Sequence, residues 1–203
     1  MKIFCVGRNY ADHAKELGNA VPEEPVIFMK PKTALLQPNT PFYYPEFSNE
    51  LHYEVELILR IAKNGKYIPE NQASKYYDAI SVGIDFTARD VQANLKKKGL
   101  PWEKAKAWDN SAVAGNWILL SDETLNNPIH FSLNKNGEQV QLGDTRDMIF
   151  SFDHIVSHIS QYFSLNIGDM IYTGTPAGVG PVKIGDRLIA KIEAEELLNF
   201  EIK

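Results

Sequence analysis

Hydrophobic and polar positions alternate along much of this chain, and turn residues cut the alternation into short segments. That pattern predicts many strands with a few helices between them. In LHYEVELIL, residues 51–59, the period of two puts Tyr53, Val55, Leu57 and Leu59 on one face. His52, Glu54, Glu56 and Ile58 share the other. This strand, read over 53–62, ends at the turn Asn64-Gly65. Ile3 to Val6 and Val26 to Met29 read as short strands, and Ala79 to Phe86 as a buried one whose only charge is Asp85. Trp117 to Leu120, Ile129 to Leu133, Met170 to Thr173, Asp186 to Glu193 and Leu197 to Ile202 complete the strands.

Helices are predicted over Tyr10 to Leu17, Asn71 to Tyr77, Ala88 to Lys98 and Phe152 to Phe163. Asn9 and Ser151 are the expected N-caps, and Gly18 and Gly99 the stops. Asn136-Gly137 marks a hairpin turn. Prolines at 31, 38, 41 and 45 leave the intervening stretch as extended loop or edge strand. Strand and helix do not alternate regularly, so the expected class is a single β-rich α+β domain over 1–203 and not a doubly wound sheet.

Composition narrows the function. The 203 residues are 44% hydrophobic and 23% charged, with a formal net charge of -5. An acidic chain of this kind argues against a general binder of nucleic acid or anionic membrane. No apolar run approaches the roughly 20 residues of a membrane span. The opening MKIFCVGRNY has too short an apolar stretch for a signal peptide, so a cytoplasmic location is expected. The single cysteine, Cys5, lies in an apolar run and reads as a buried small hydrophobe.

Four groups of residues have chemical potential. Glu54 and Glu56 on one strand face, with Asp85, would make an all-oxygen set suited to a hard cation such as Mg²⁺ or Mn²⁺, and His52 shares their face. Spacing alone also fits a solvent face, since exposed Glu on strands is common. His13 and Glu16 stand at i and i+3 of a helix, where a carboxylate orients an imidazole and raises its basicity, or where two exposed side chains merely pair. Arg89 and Gln92 share the start of a helix, and Lys106 sits among apolar neighbours. The Gly-rich stretch 168–186 is neither a Walker loop nor a dinucleotide fingerprint, but it offers backbone N–H groups and the Thr175 hydroxyl to a carboxylate. Lys96, Lys97 and Lys98 read as a solvated last turn that complements the helix dipole.

Six ordered segments then resemble the signatures of one family: VGRNYADHAKEL, PVIFMKP, HYEVELIL, GIDFTARDVQ, KKGLPWEKAKAWD and GDMIYTGTPAGVGPVKIGD. The chain is similar to the fumarylacetoacetate hydrolase superfamily, and among its members to the short ones with acylpyruvase and oxaloacetate decarboxylase activity. The resemblance implies a mixed β-sandwich roll, a homodimer and one Mg²⁺ or Mn²⁺ per subunit. It implies Glu54, Glu56 and Asp85 as metal ligands, and His13 and Glu16 as a water-activating dyad on a segment that orders over bound ligand. Lys106 would lie against a keto or enolate oxygen, and Arg89, Gln92 and Thr175 at the substrate's carboxylate end. After Asp109 the family often has Gly and Pro where this chain reads NSAVAGNW, so the pocket wall is expected to differ there.

The expected activity is cleavage of a C–C bond in small 2-oxo acids, by acylpyruvate hydrolysis or oxaloacetate decarboxylation, through a pyruvate enolate. Its rival is an isomerase or tautomerase of 2-hydroxy-dienoates or of enol-oxaloacetate, using the same metal. A non-catalytic, metal-assisted dicarboxylate binder would need the acids but not the dyad. A purely structural β-domain would have no metal affinity.

Overall fold

The computed structural model describes residues 1–203 except 17, 19, 39, 122, 123, 125 and 126, and the side chain of residue 14. In chain order the first half comprises β1 (Ile3–Gly7), α1 (Ala11–Glu16), β2 (Val26–Lys30), β3 (Leu51–Tyr53), β4 (Val55–Ile61), β5 (Tyr77–Asp85), β6 (Thr87–Ala88), α2 (Arg89–Lys97) and α3 (Glu103–Lys106). The second half comprises β7 (Ala112–Ala114), β8 (Ile118–Leu119), β9 (His130–Lys135), β10 (Glu138–Asp144), α4 (Phe152–Tyr162), β11 (Met170–Tyr172), β12 (Gly180–Pro181), β13 (Arg187–Ile192) and β14 (Glu195–Glu201).

The largest sheet runs β2-β1-β11-β4-β5-β7, with β8 also on β5. It is mixed, because β1 and β11 are parallel and their neighbours antiparallel. A four-stranded sheet, β10-β9-β13-β14, packs against it, and β12-β3-β6 form a small third sheet. The β-rich α+β class expected from the sequence is the class observed.

The two faces of β4 separate core from chemistry. Val55 and Leu57 enter a core with Leu133, Leu188 and Ala190 of the second sheet. Leu59 and Ile61, on the same face, pack with Phe4, Ile171 and the Ile155, Val156 and Ile159 side of α4. Each such side chain, fully buried, contributes about 1.5–3 kcal/mol. Ile58 points the other way, toward Ile3, Cys5 and Tyr172. Cys5 is a buried part of that cluster, and burial pushes its thiol pKa up, away from reactivity.

Several local expectations change. The helix expected over Asn71 to Tyr77 is a 3₁₀ segment, Glu70–Tyr76, entered from Pro69 with Gln72 N donating to Pro69 O at 2.9 Å. Asn9 does not cap α1. Its amide is consumed by long-range bonds to Phe150 N, Phe150 O and Thr173 O. The predicted end of that helix at Leu17 lies outside the described residues, while Gly18 has the positive φ of a stop. Ser151 caps α4 as expected, accepting from His154 N at 3.2 Å. Among the described residues no helix is long and apolar enough to cross a membrane.

The strand at 51–59 is interrupted at Glu54, so β3 joins the small sheet while β4 joins the large one. Across the break, Asp85 N donates to Glu54 O at 2.9 Å, and Val55 N donates to Gln141 Oε1 at 2.9 Å. Gln141 reaches that position because the β9–β10 register shifts between Gln139 and Gln141. Such a shift turns one residue to the opposite face. It buries Gln141 and leaves Leu142 61% exposed, the reverse of what hydropathy alone suggests.

Candidate metal centre

Three strand features bring the acids together. Glu54 sits at the break between β3 and β4, Glu56 follows on the same face, and Asp85 ends the neighbouring β5. All three are buried, and one carboxylate oxygen from each lies within 4.8 Å of the others.

Buried carboxylates need partners, and the fold supplies them unevenly. Glu54 Oε1 accepts from Arg89 Nη2 at 2.6 Å and from Thr87 Oγ1 at 2.9 Å. Glu54 Oε2 accepts from Lys106 Nζ at 2.6 Å, and the same ammonium reaches Asp85 Oδ2 at 2.7 Å. Burial pushes the Glu54 carboxyl up, but the charges of Lys106 and Arg89 outweigh it and hold its pKa below the usual carboxylate range. For Lys106, burial alone lowers the pKa, and Asp85 and Glu54 more than reverse that, so it stays charged.

Asp85 Oδ1 lies 2.7 Å from Lys30 Nζ, a close charge contact without hydrogen-bond geometry. Lys30 directs its donors instead to Ser111 Oγ, Ser111 O and the Lys106 carbonyl. Glu56 has no ion pair among the described residues, and Gly174 N donates to its Oε2 at 2.7 Å. Gly174 holds φ +107, and a Cβ there would come 2.7 Å from Asn9 Cβ, so the donor depends on glycine. Burial, then Asp85 and Glu54, raise the Glu56 pKa well above the usual range. A buried Asp85 oxygen without a hydrogen bond and a Glu56 without an ion pair among the described residues fit a hard divalent cation bound by this oxygen set.

The other expected residues border the same space. His13, Arg89, Gln92, Lys106 and Thr175 line one narrow cavity of about 40 Å³ with the three acids. Glu16 stands behind His13, with its Oε2 3.1 Å from His13 Nδ1, and Gly178 N donates to its Oε1 at 3.1 Å. A carboxylate at Nδ1 favours the tautomer with hydrogen there, leaving Nε2 as the free acceptor. Gln92 Oε1 accepts from Arg89 Nη1 at 2.7 Å. His52 does not reach the acids. It lies 3.0 Å from Glu50 and accepts from Arg89 Nε at 3.3 Å, steadying that arginine.

Sequence reading missed Lys30, Gln141, Gly174 and Arg8. Lys30 had a legible signal, since it ends the apolar strand Val26–Lys30 as Asp85 ends its own. Lys96, read as part of a solvated face, is exposed but also lines the cavity. The divergent NSAVAGNW stretch does not line it; Ser111 holds Lys30, and Ala112–Ala114 form β7.

Gln141 joins the strand break to the Gly-rich loop, because its Nε2 donates to Thr175 Oγ1 and to Pro176 O, both at 2.9 Å. Gln141→Leu strips partners from those groups and from Val55 N. At about 1–3 kcal/mol for each buried group left unpaired, urea denaturation will show a loss of about 3 kcal/mol and substrate KM will rise. A stability change below about 0.5 kcal/mol contradicts this bridging role.

Comparison with known proteins places this geometry in context. Residues 2–201 match the fumarylacetoacetate (FAA) hydrolase C-terminal family. The chain is 43% identical over 201 residues to oxaloacetate tautomerase FAHD1, mitochondrial, of Mus musculus, covering 99% of this chain and 91% of that protein. It is also 43% identical over 198 residues to oxaloacetate tautomerase YcgM of Escherichia coli, covering 97% of this chain and 90% of that protein. Among solved structures, a fumarylpyruvate hydrolase from Pseudomonas aeruginosa, in complex with Mn²⁺ and pyruvate, superposes with TM-score 0.92 at 37% identity, over 100% of this chain and 89% of that one. Matched nearly end to end in sequence and in fold, the chain belongs to the fumarylacetoacetate hydrolase family.

Proposed function

We propose that the protein is a metal-dependent tautomerase that interconverts the keto and enol forms of oxaloacetate or a close 2-oxo diacid. The observation that carries this reading is the placement of the His13–Glu16 dyad and the Lys106 ammonium on one cavity with three buried acids. The names of the mouse and E. coli relatives support tautomerisation ahead of the C–C cleavage expected first from the sequence.

Glu54, Glu56 and Asp85 would hold the divalent cation, which when bound supplies Lewis-acid polarisation of the 2-oxo oxygen. Arg89 and Lys106 line the cavity with their charged groups bonded to Glu54. Arg89, Gln92 and Thr175 then bind and orient its carboxylate end. His13 Nε2 takes a proton from C3: the C–H bond breaks, an N–H bond forms, the C–H electron pair becomes the C2=C3 bond, and the C=O π pair moves onto the 2-oxo oxygen. Lys106 stabilises the charge that develops there. Return of the proton to that oxygen gives the enol, with every carbon retained. Glu16 fixes the imidazole and stabilises its protonated form.

His13→Ala is expected to lower the keto–enol rate by about 10²–10⁴-fold, with metal binding unchanged by titration calorimetry. A rate within threefold of wild type removes His13 from the reaction. Hydrolysis of acylpyruvates is the second reading. An apolar cavity of about 400 Å³ shares Phe28, Trp102 and Lys106 with the site and could seat an acyl group. Release of pyruvate from acetylpyruvate would favour it.

A further inference from the structure

The cavity carries more positive charge than its acids use. Arg8, Arg89, Lys96 and Lys106 line it, against Glu54, Glu56 and Asp85. Arg89 and Lys106 are committed to those acids. Arg8 and Lys96 pair with no carboxylate among the described residues. Both line the same cavity, where partial burial first, and then the charges of Arg8, Arg89 and Lys106, draw the Lys96 pKa down. Two cations on one cavity, neither with a carboxylate partner among the described residues, suit an anionic ligand group.

The chain invests structure in this arrangement. Arg8 has φ +61, a left-handed backbone unusual for a residue with a side chain. It is held there between the end of β1 and Asn9, whose amide is locked by Phe150 and Thr173. Lys96 reaches the cavity from the last turn of α2, its Nζ 5.7 Å from the centre of the Trp102 ring, which in turn stands edge-on to Phe28. The ring's face meets the lysine's ammonium at the rim of the cavity that Lys96 and Trp102 both line.

We propose that Arg8 and Lys96 form the seat for the distal carboxylate of a 2-oxo diacid, so that this pair selects diacids over monoacids. The proposal rests on the reading of this cavity as a 2-oxo acid site. It divides labour within it: the acids, with their cation, and Arg89 hold the 2-oxo carboxylate end common to all substrates, and Arg8 and Lys96 read the far end. Guanidinium and ammonium both favour a carboxylate over a neutral tail, because only the carboxylate supplies the counter-charge that neither finds among the described residues.

Malate and lactate test it, since they differ by the distal carboxylate and neither tautomerises. Both are titrated into the Mn²⁺-loaded protein by calorimetry. Wild type should bind malate at least about tenfold more tightly than lactate, a difference of one ionic contact or more. Arg8→Gln and Lys96→Gln should each cut malate affinity several-fold, and together bring the two ligands within about twofold, with lactate unchanged. Arg8→Lys should keep most of the preference. An unchanged malate preference in the double variant, equal loss of both ligands, or no preference in wild type overturns the proposal. If malate preference stands but oxaloacetate shows no keto–enol turnover, the selectivity seat survives and the tautomerase reading fails.

Discussion

Asp85→Asn is expected to remove turnover and to destabilise the metal-free protein by about 3–5 kcal/mol, the usual cost of breaking a buried ion pair from one side. Asp85 is fully buried at the end of β5 and is approached by two ammonium groups, Lys30 at 2.7 Å and Lys106 at 2.7 Å. Lys106 keeps Glu54, but Lys30, itself 1% exposed, has no other acid among the described residues. The asparagine leaves that charge buried with only Ser111 and a backbone carbonyl. Urea denaturation in the presence of a chelator measures the loss. A change below about 1 kcal/mol would mean that the Lys30–Asp85 contact does not hold the strand ends together.

Glu56→Gln should abolish metal-dependent turnover as completely, yet stabilise the metal-free protein by about 0.5–2 kcal/mol. The opposite sign follows from its neighbours. Glu56 faces Asp85 and Glu54 without an ion-pair partner among the described residues, and burial followed by those two charges raises its pKa. A raised carboxyl pKa means that the folded chain holds this proton more tightly than the unfolded one. Its contribution therefore favours folding in acid and is lost as pH rises from about 4.5, the ordinary value, through the raised one. The gain from glutamine should vanish in acid and be complete above the raised pKa. Excess Mn²⁺ should reverse the ranking, since a ligand at 100 times its Kd adds about 2.7 kcal/mol to the protein that binds it. Thermal melts across pH, with chelator and then with metal, check both halves. A variant less stable than wild type in chelator would show that Glu56 is compensated after all.

The candidate site was legible where one residue's character clashes with its element. Two acids on the polar face of the stretch 51–59 and one acid in the apolar run of β5 stand out in a period-two reading, and the fold places them together. The i, i+3 spacing of His13 and Glu16 likewise survives into a 3.1 Å contact. Residues whose placement depends on tertiary register were not legible. Gln141 turns inward only because β10 shifts against β9, and no local pattern announces that shift. Gly174 matters through its backbone N–H to Glu56, 118 positions away in sequence. Asn9 looks like a helix cap, but distant carbonyls compete for its amide and win. Lys30 ends its strand as Asp85 does, yet β1, β11 and β4 lie between β2 and β5 in the sheet, so nothing local announces the 2.7 Å contact between the two residues.

The most direct test of the account follows enol-oxaloacetate by its ultraviolet absorbance, with Mg²⁺, with Mn²⁺ and with a chelator, and assays pyruvate at the end. Metal-dependent loss of the enol signal, with oxaloacetate recovered and no pyruvate above the uncatalysed background, is the result predicted. Pyruvate released in step with the absorbance change, or an equal rate in chelator, would contradict it.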